Sequence, residues 1–129
     1  MNKILVVDDT FVSRRGTVYA LLSMGFLSDE AVSGVEALEL VTMNEYSLIL
    51  MDYHMPIMDG IVCAKEIESL KKQCKVSPNT SVILFSAAKL DHDCEDTCLS
   101  GVLDKACSNQ ELHDLVVRYC YPDNSLSLR

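Results

Sequence analysis

The stretch LILMDYHMPIMDG, residues 48–60, decides the fold. Ser47–Met51 is apolar enough to be a buried strand, yet the run ends in Asp52 and breaks at once into a turn marked by Pro56 and Gly60. Burying a carboxylate is costly unless something pairs with it. A strand that ends this way therefore needs partners for Asp52 from elsewhere in the chain.

Outward from that strand, apolar runs and helical patterns alternate five times. Ile4–Val7 is a compact strand rich in β-branched residues. Phe11–Met24 is a helix candidate, weakened by Gly16, which costs about 1 kcal/mol against Ala, and ended by Gly25. Leu27–Val32 is a poorer strand. Ser33 and Glu36 predict a capping box, opening a helix to about Asn44 with Ala37, Leu38 and Val41 on one side. After Gly60, the spacing of Cys63, Ile67 and Leu70 predicts a helix, followed by a polar loop, KKQCKVSPNT. Ser81–Phe85 is another strand, Leu90–Leu99 a helix and Val102–Leu103 a very short strand. Ser108 and Glu111 form a second box ahead of Leu112, Leu115, Val116 and Tyr119, spaced i, i+3, i+4 and i+7. Residues 121–129 have no periodicity and read as a loose tail.

Alternating strands and helices with apolar strands predict a parallel sheet covered on both faces and joined by right-handed crossovers. No repeat and no linker to a second domain is visible, so the reading is one doubly wound α/β domain. The chain of 129 residues is long enough to bury a real core.

A net charge of −8 argues against nonspecific nucleic-acid binding through a basic face. No apolar run approaches the 18 or so residues of a membrane span, and MNKILVVDD has no small-residue cleavage site, which points to a cytoplasmic protein. The six cysteines then read as reduced thiols. His92, Cys94 and Cys98 in HDCEDTC could supply zinc ligands, but a fourth is not evident, and cysteine is a common small core residue.

In such sheets the functional crevice lies beyond the carboxyl ends of the strands, where strand order reverses. Asp8 and Asp9 follow the first strand, Asp52 the third, Ser86 and Ala87 the fourth and Lys105 the fifth. Three clustered carboxylates repel, and at least one would have its pKa raised unless a cation joined them. Lys105 supplies one charge. Mg²⁺, which favours one or two carboxylates with water and phosphate oxygens, would supply the rest. A phosphoryl group on Asp52, an accepted covalent role for aspartate, would give Mg²⁺, Lys105 and the Ser86 hydroxyl each an oxygen to stabilise. Singly the residues are ordinary: Asp9 or Thr10 could merely cap the first helix, and Lys105 could be surface. Their joint occurrence at four strand ends carries the reading.

ILVVDD, LILMDYHMPIMDG, VILFSAA and LDK together resemble, in order, the receiver domains of two-component response regulators. The resemblance spans about residues 2–120. It implies the flavodoxin-like (βα)5 three-layer sandwich with sheet order 2-1-3-4-5, and a receiver domain over residues 1–120 with 121–129 as tail. It implies Asp52 as phosphoacceptor and Mg²⁺ held by Asp9 and Asp52, with Asp8 direct or through water and the His54 backbone carbonyl. Ser86 becomes the switch hydroxyl, with Ala87 beside it, and Lys105 the phosphate-binding lysine. The implied donor is a histidine kinase or histidine phosphotransfer protein, with a downstream protein target as a further partner. Nucleic acid and membrane contact are not implied. Such a domain assists its own phosphotransfer and dephosphorylation without being an enzyme otherwise, and no effector domain is expected within the chain. It would be a free-standing regulator or the receiver of a hybrid histidine kinase, whose sequences VDDTFVSRR and the long loop before the fourth strand resemble.

Three departures qualify the resemblance. Ala106 stands where the family usually has a proline joined by a cis bond; a non-proline cis bond costs about 3 kcal/mol, which predicts a trans Lys105–Ala106 peptide. The Ser86-to-Lys105 interval is short for the family. Val102 stands where the family often has the aromatic that reports the state of the switch hydroxyl. A pseudo-receiver that binds proteins without taking phosphate is the alternative. A phosphohydrolase of the haloacid dehalogenase type is disfavoured, since Asp8-Asp9-Thr10 lacks its Asp-x-Asp.

Overall fold

A computed structural model of the chain describes residues 3–87 and 98–122. Its elements are β1 (Ile4–Val7), α1 (Phe11–Ser23), β2 (Ser28–Ala31), α2 (Gly34–Met43), β3 (Leu48–Met51), α3 (Gly60–Lys72), β4 (Ser81–Ser86), β5 (Gly101–Asp104) and α4 (Asn109–Cys120). All five strands are parallel, in the order β2-β1-β3-β4-β5. This is the flavodoxin-like arrangement.

Because side chains alternate along a strand, every second strand residue feeds each of two cores. Leu5, Val7, Ile49, Met51 and Val82 pack with Ala37 and Val41 of α2 and Cys63, Ala64 and Ile67 of α3. On the opposite face Ile4, Val6, Leu48, Leu50, Ile83 and Phe85 pack with Leu21 of α1 and Leu112, Val116 and Cys120 of α4. With both faces covered, the central strands are apolar throughout: Ile4–Val7 and Leu48–Met51 are wholly buried. β2, at the sheet edge, is polar and only its last residue is buried, which is why its sequence signal is weak.

Most predicted boundaries shift by a residue or two. α1 ends at Ser23, and Gly25 takes the positive φ of 91° that a helix exit favours. β2 is four residues, not six. β4 runs one residue further, so Ser86 is its last residue rather than the first beyond it. The capping box at Ser108 and Glu111 is complete. At α2 only half the box forms: Ser33 accepts from the Glu36 N–H, but the Glu36 carboxylate reaches back to the Val32 N–H instead. The helix predicted over Leu90–Leu99 falls mainly on residues outside the described ones; its last two, Cys98 and Leu99, are not helical.

Candidate functional site

β1 has β2 on one side and β3 on the other, so strand order reverses beside it. The register Val7↔Met51 leaves Asp8 and Asp52 next to each other just past the strand ends. Their backbones remain on the ladder: the Asp8 N–H donates to Ala31 O at 3.1 Å and the Asp52 N–H to Val7 O at 2.9 Å. One carboxylate oxygen each from Asp8, Asp9 and Asp52 lie within 4.8 Å of one another. Asp8 and Asp52 are buried, at 2% and 8% exposure, and Asp9 is open to solvent.

Lys105 follows β5 and its N–H donates to Ser86 O at 3.1 Å, extending the β4–β5 ladder to the crevice. Its ammonium Nζ donates to Asp8 Oδ2 at 2.7 Å and to Ser13 Oγ at 2.8 Å, and lies 3.5 Å from Asp52 Oδ1. The bond to Ala106 is trans, as is every described peptide, and the lysine still reaches both acids.

This unequal sharing separates the two buried acids. Burial pushes the Asp8 carboxyl up, but hydrogen bonds from Lys105, the Ser13 hydroxyl and the Thr10 N–H outweigh it and leave the carboxyl below the usual carboxylate range. Burial likewise pushes Asp52 up; there the more distant Lys105 does not compensate, the Asp8 charge adds to the rise, and the carboxyl ends above its ordinary value. The triad is therefore short of positive charge at Asp52.

The loop after β3 is held by close backbone contact. The Gly60 N–H donates to Tyr53 O at 2.9 Å, and a Cβ on Gly60 would lie 2.3 Å from Asp52 O, so only glycine fits. Asp59 caps α3 by accepting from the Val62 N–H. Between them the Met58 N–H donates to Pro56 O at 2.7 Å across Ile57, whose φ is 73°. That three-residue turn is of the strained kind, and a β-branched side chain at positive φ is an outlier.

Of the predicted site residues, Asp8, Asp9, Asp52 and Lys105 are brought together. Ser86 is buried at the end of β4 and Ala87 follows it, exposed. His54 is exposed on the loop, its ring edge-on to Tyr53 at 4.7 Å. Val102 is half-exposed on β5. His92 and Cys94 lie outside the described residues; Cys98 is buried against the core on the α2–α3 face. Thr10 is the N-cap of α1 by backbone position, but no side chain caps that end; Asp8 Oδ1 instead accepts from the Thr10 N–H.

Two residues at this site were not anticipated from the sequence. Ser13, the third residue of α1, accepts from the Lys105 ammonium; its place five residues after Asp8, at the start of the helix that follows the acidic pair, was the available signal. Arg14 is buried, donating to Asp8 O at 3.0 Å and to Glu30 Oε1 at 2.9 Å, with Phe11 under its guanidinium. Arg15 pairs with the other Glu30 oxygen. No local pattern marks Arg14, because Glu30 comes from the neighbouring strand.

The donor set suits a hard divalent cation: three oxygen ligands, one of them exposed to water, around a carboxyl that burial leaves under-compensated. Asp8, Asp9 and Asp52 are the residues that could hold Mg²⁺. Among the described residues no helix is long and apolar enough to cross a membrane.

Residues 4–117 match the family described as the response regulator receiver domain. Hybrid signal transduction histidine kinase F of Dictyostelium discoideum is 32% identical over 127 residues, covering 95% of this chain and 11% of that protein. The chain spans a tenth or less of the next two hybrid kinases, 10% and 5%. Response regulator protein TrrA from Thermotoga maritima, solved in complex with Mg²⁺ and BeF, is 30% identical with a TM-score of 0.77, covering 92% of this chain and 99% of that one. The receiver domain of sensor histidine kinase PA1611 from Pseudomonas aeruginosa PAO1, with a magnesium ion coordinated in its active site cleft, is 26% identical with a TM-score of 0.78, covering 92% and 97%.

Proposed function

Because the chain belongs to the response regulator receiver family, we propose that it is the phosphoacceptor of a two-component phosphorelay, with Asp52 taking a phosphoryl group from a histidine. The observation that carries the reading is the convergence of Asp8, Asp9, Asp52 and Lys105 from the ends of three strands. In the transfer an Asp52 oxygen attacks phosphorus and the phosphorus–nitrogen bond of the donor phosphohistidine breaks. The electron pair returns to the imidazole, which takes up a proton.

Asp9 and Asp52 would hold Mg²⁺, with Asp8 ligating directly or through water and the His54 backbone carbonyl as a further donor. Bound there, Mg²⁺ neutralises charge on the phosphoryl oxygens. Lys105 brings a second positive charge to the same oxygens, and the Ser86 hydroxyl, beside Ala87, donates to another. Position and charge are what this chemistry demands of a protein.

The donor is a histidine kinase or a histidine phosphotransfer protein in the cytoplasm; the hybrid kinases among the relatives favour a relay. Lys105 reaching Asp8 and Asp52 weighs against a pseudo-receiver. The test is transfer from a phosphorylated histidine phosphotransfer domain in the presence of Mg²⁺. Label is expected on the wild-type chain and not on Asp52→Asn. Undiminished label on the variant would overturn the assignment.

A further inference from the structure

We propose that Ser13 is a positioning residue for Lys105, its hydroxyl fixing the ammonium in the crevice so that the charge stays directed at Asp52 whichever cation Asp8 serves. The proposal deepens the phosphoacceptor reading and rests on it for its kinetic consequence, though not for the contact itself.

An ammonium has three N–H donors. Two of those on Lys105 have short partners, Asp8 Oδ2 at 2.7 Å and Ser13 Oγ at 2.8 Å, while Asp52 Oδ1 stands further off at 3.5 Å. The two anchors differ in kind. Asp8 belongs to the acidic triad that suits a divalent ion, so a cation there competes with Lys105 for the same carboxylate. Ser13 carries no charge, so a divalent ion does not compete with Lys105 for it as it does for a carboxylate; its oxygen accepts from the ammonium while its hydroxyl also faces Asp8.

Ser13 is also a fixed point. It sits near the start of α1, a helix anchored by buried Leu21, and its backbone carbonyl accepts from the Thr17 hydroxyl. Lysine, by contrast, has a flexible four-carbon stem with many rotamers open to it. It also has somewhere else to go. A cavity of about 230 Å³ between α1 and α4 is lined by Ser13, Gly16, Lys105 and Ser108 among others. Without the Ser13 hydroxyl the ammonium can turn towards water in that cavity, and correct placement of a charge is a large part of what such a site contributes.

The experiment compares Ser13→Ala and Ser13→Thr, each alone and combined with Lys105→Met. The first readout is the side-chain NMR signal of Lys105 in chelator, before any phosphoryl donor is added. The second is the rate of phosphoryl uptake from acetyl phosphate with Mg²⁺. Ser13→Ala is expected to move the Lys105 signal and slow uptake roughly 3- to 10-fold, the range of one ordinary intramolecular hydrogen bond, since Asp8 still holds the ammonium. Ser13→Thr should restore both, and Ser13→Ala should add nothing in the Lys105→Met background. An unmoved Lys105 signal in Ser13→Ala, no recovery in Ser13→Thr, or an equal slowing without Lys105 would each overturn the proposal. If the wild-type chain took up no phosphoryl group, the phosphoacceptor reading would fail on that control, while the Lys105 signal would still decide the role of Ser13.

Discussion

Asp8 and Asp52 lie side by side and share one ammonium, yet their carboxyls are driven in opposite directions. Asp52 is raised, by burial first, so its folded pKa exceeds its unfolded one. Its contribution to stability is present below the unfolded pKa and lost as pH rises through the raised folded value. Asn at this position carries no such charge. In chelator, Asp52→Asn should therefore be more stable than wild type at pH 7, by on the order of 1 kcal/mol, with the gain fading below about pH 4. Asp8 has the reverse sign: its lowered pKa contributes stability above the unfolded value that is lost as pH falls through the folded one, so Asp8→Asn should destabilise at pH 7. Urea titrations across pH check both, and a destabilised Asp52→Asn at pH 7 would contradict the charge distribution described. Gly60 makes a second prediction at this scale. Its missing Cβ faces Asp52 O at 2.3 Å, so Gly60→Ala should cost about 1–3 kcal/mol by overpacking and displace the proposed phosphoacceptor, lowering phosphoryl uptake as well as the urea midpoint.

At the scale of the element, Gly16 is the opposite case. It sits within α1, where a Cβ would meet nothing within 4 Å, so Gly16→Ala should raise stability by about 1 kcal/mol through helix propensity alone. An unchanged urea midpoint would show that the helix is strained there in some other way. The elements themselves were largely legible in the sequence, because central parallel strands such as Leu48–Met51 read as unbroken apolar runs, and Ser108 with Glu111 marks a helix start chemically. β2 was blurred because an edge strand buries little, and half the expected box at Glu36 was lost to a competing donor, the Val32 N–H, from which the Glu36 carboxylate accepts. The acids and Lys105 were legible as strand-end residues. Ser13 and Arg14 were not, because their partners, Lys105 and Glu30, lie far away in sequence and meet them only through the sheet order. The strain at Ile57 was hidden for a related reason: its φ is set by the Met58-to-Pro56 turn and not by its own side chain.

At the scale of the whole molecule, two cores clamp the sheet from both faces and leave its carboxyl edge as the place where charge collects. A phosphoryl group would add about −1.5 to −2 charges there, and only an element with two packings turns that into a distant change. Val102 has little reach to fill space that an inward-moving Ser86 would vacate. We expect the amide shifts of residues 98–120 on adding beryllofluoride to be smaller than those beside Asp52, consistent with a chain that passes its phosphoryl group on; equal shifts would indicate a full output switch. Whether Asp52 takes a phosphoryl group with the help of Mg²⁺, as proposed, is decided by intact-mass analysis after incubation with acetyl phosphate. The account predicts a single phosphoryl adduct with Mg²⁺, none in chelator and none on Asp52→Asn. No adduct on the wild-type chain in Mg²⁺, or an equal adduct on the variant, would contradict it.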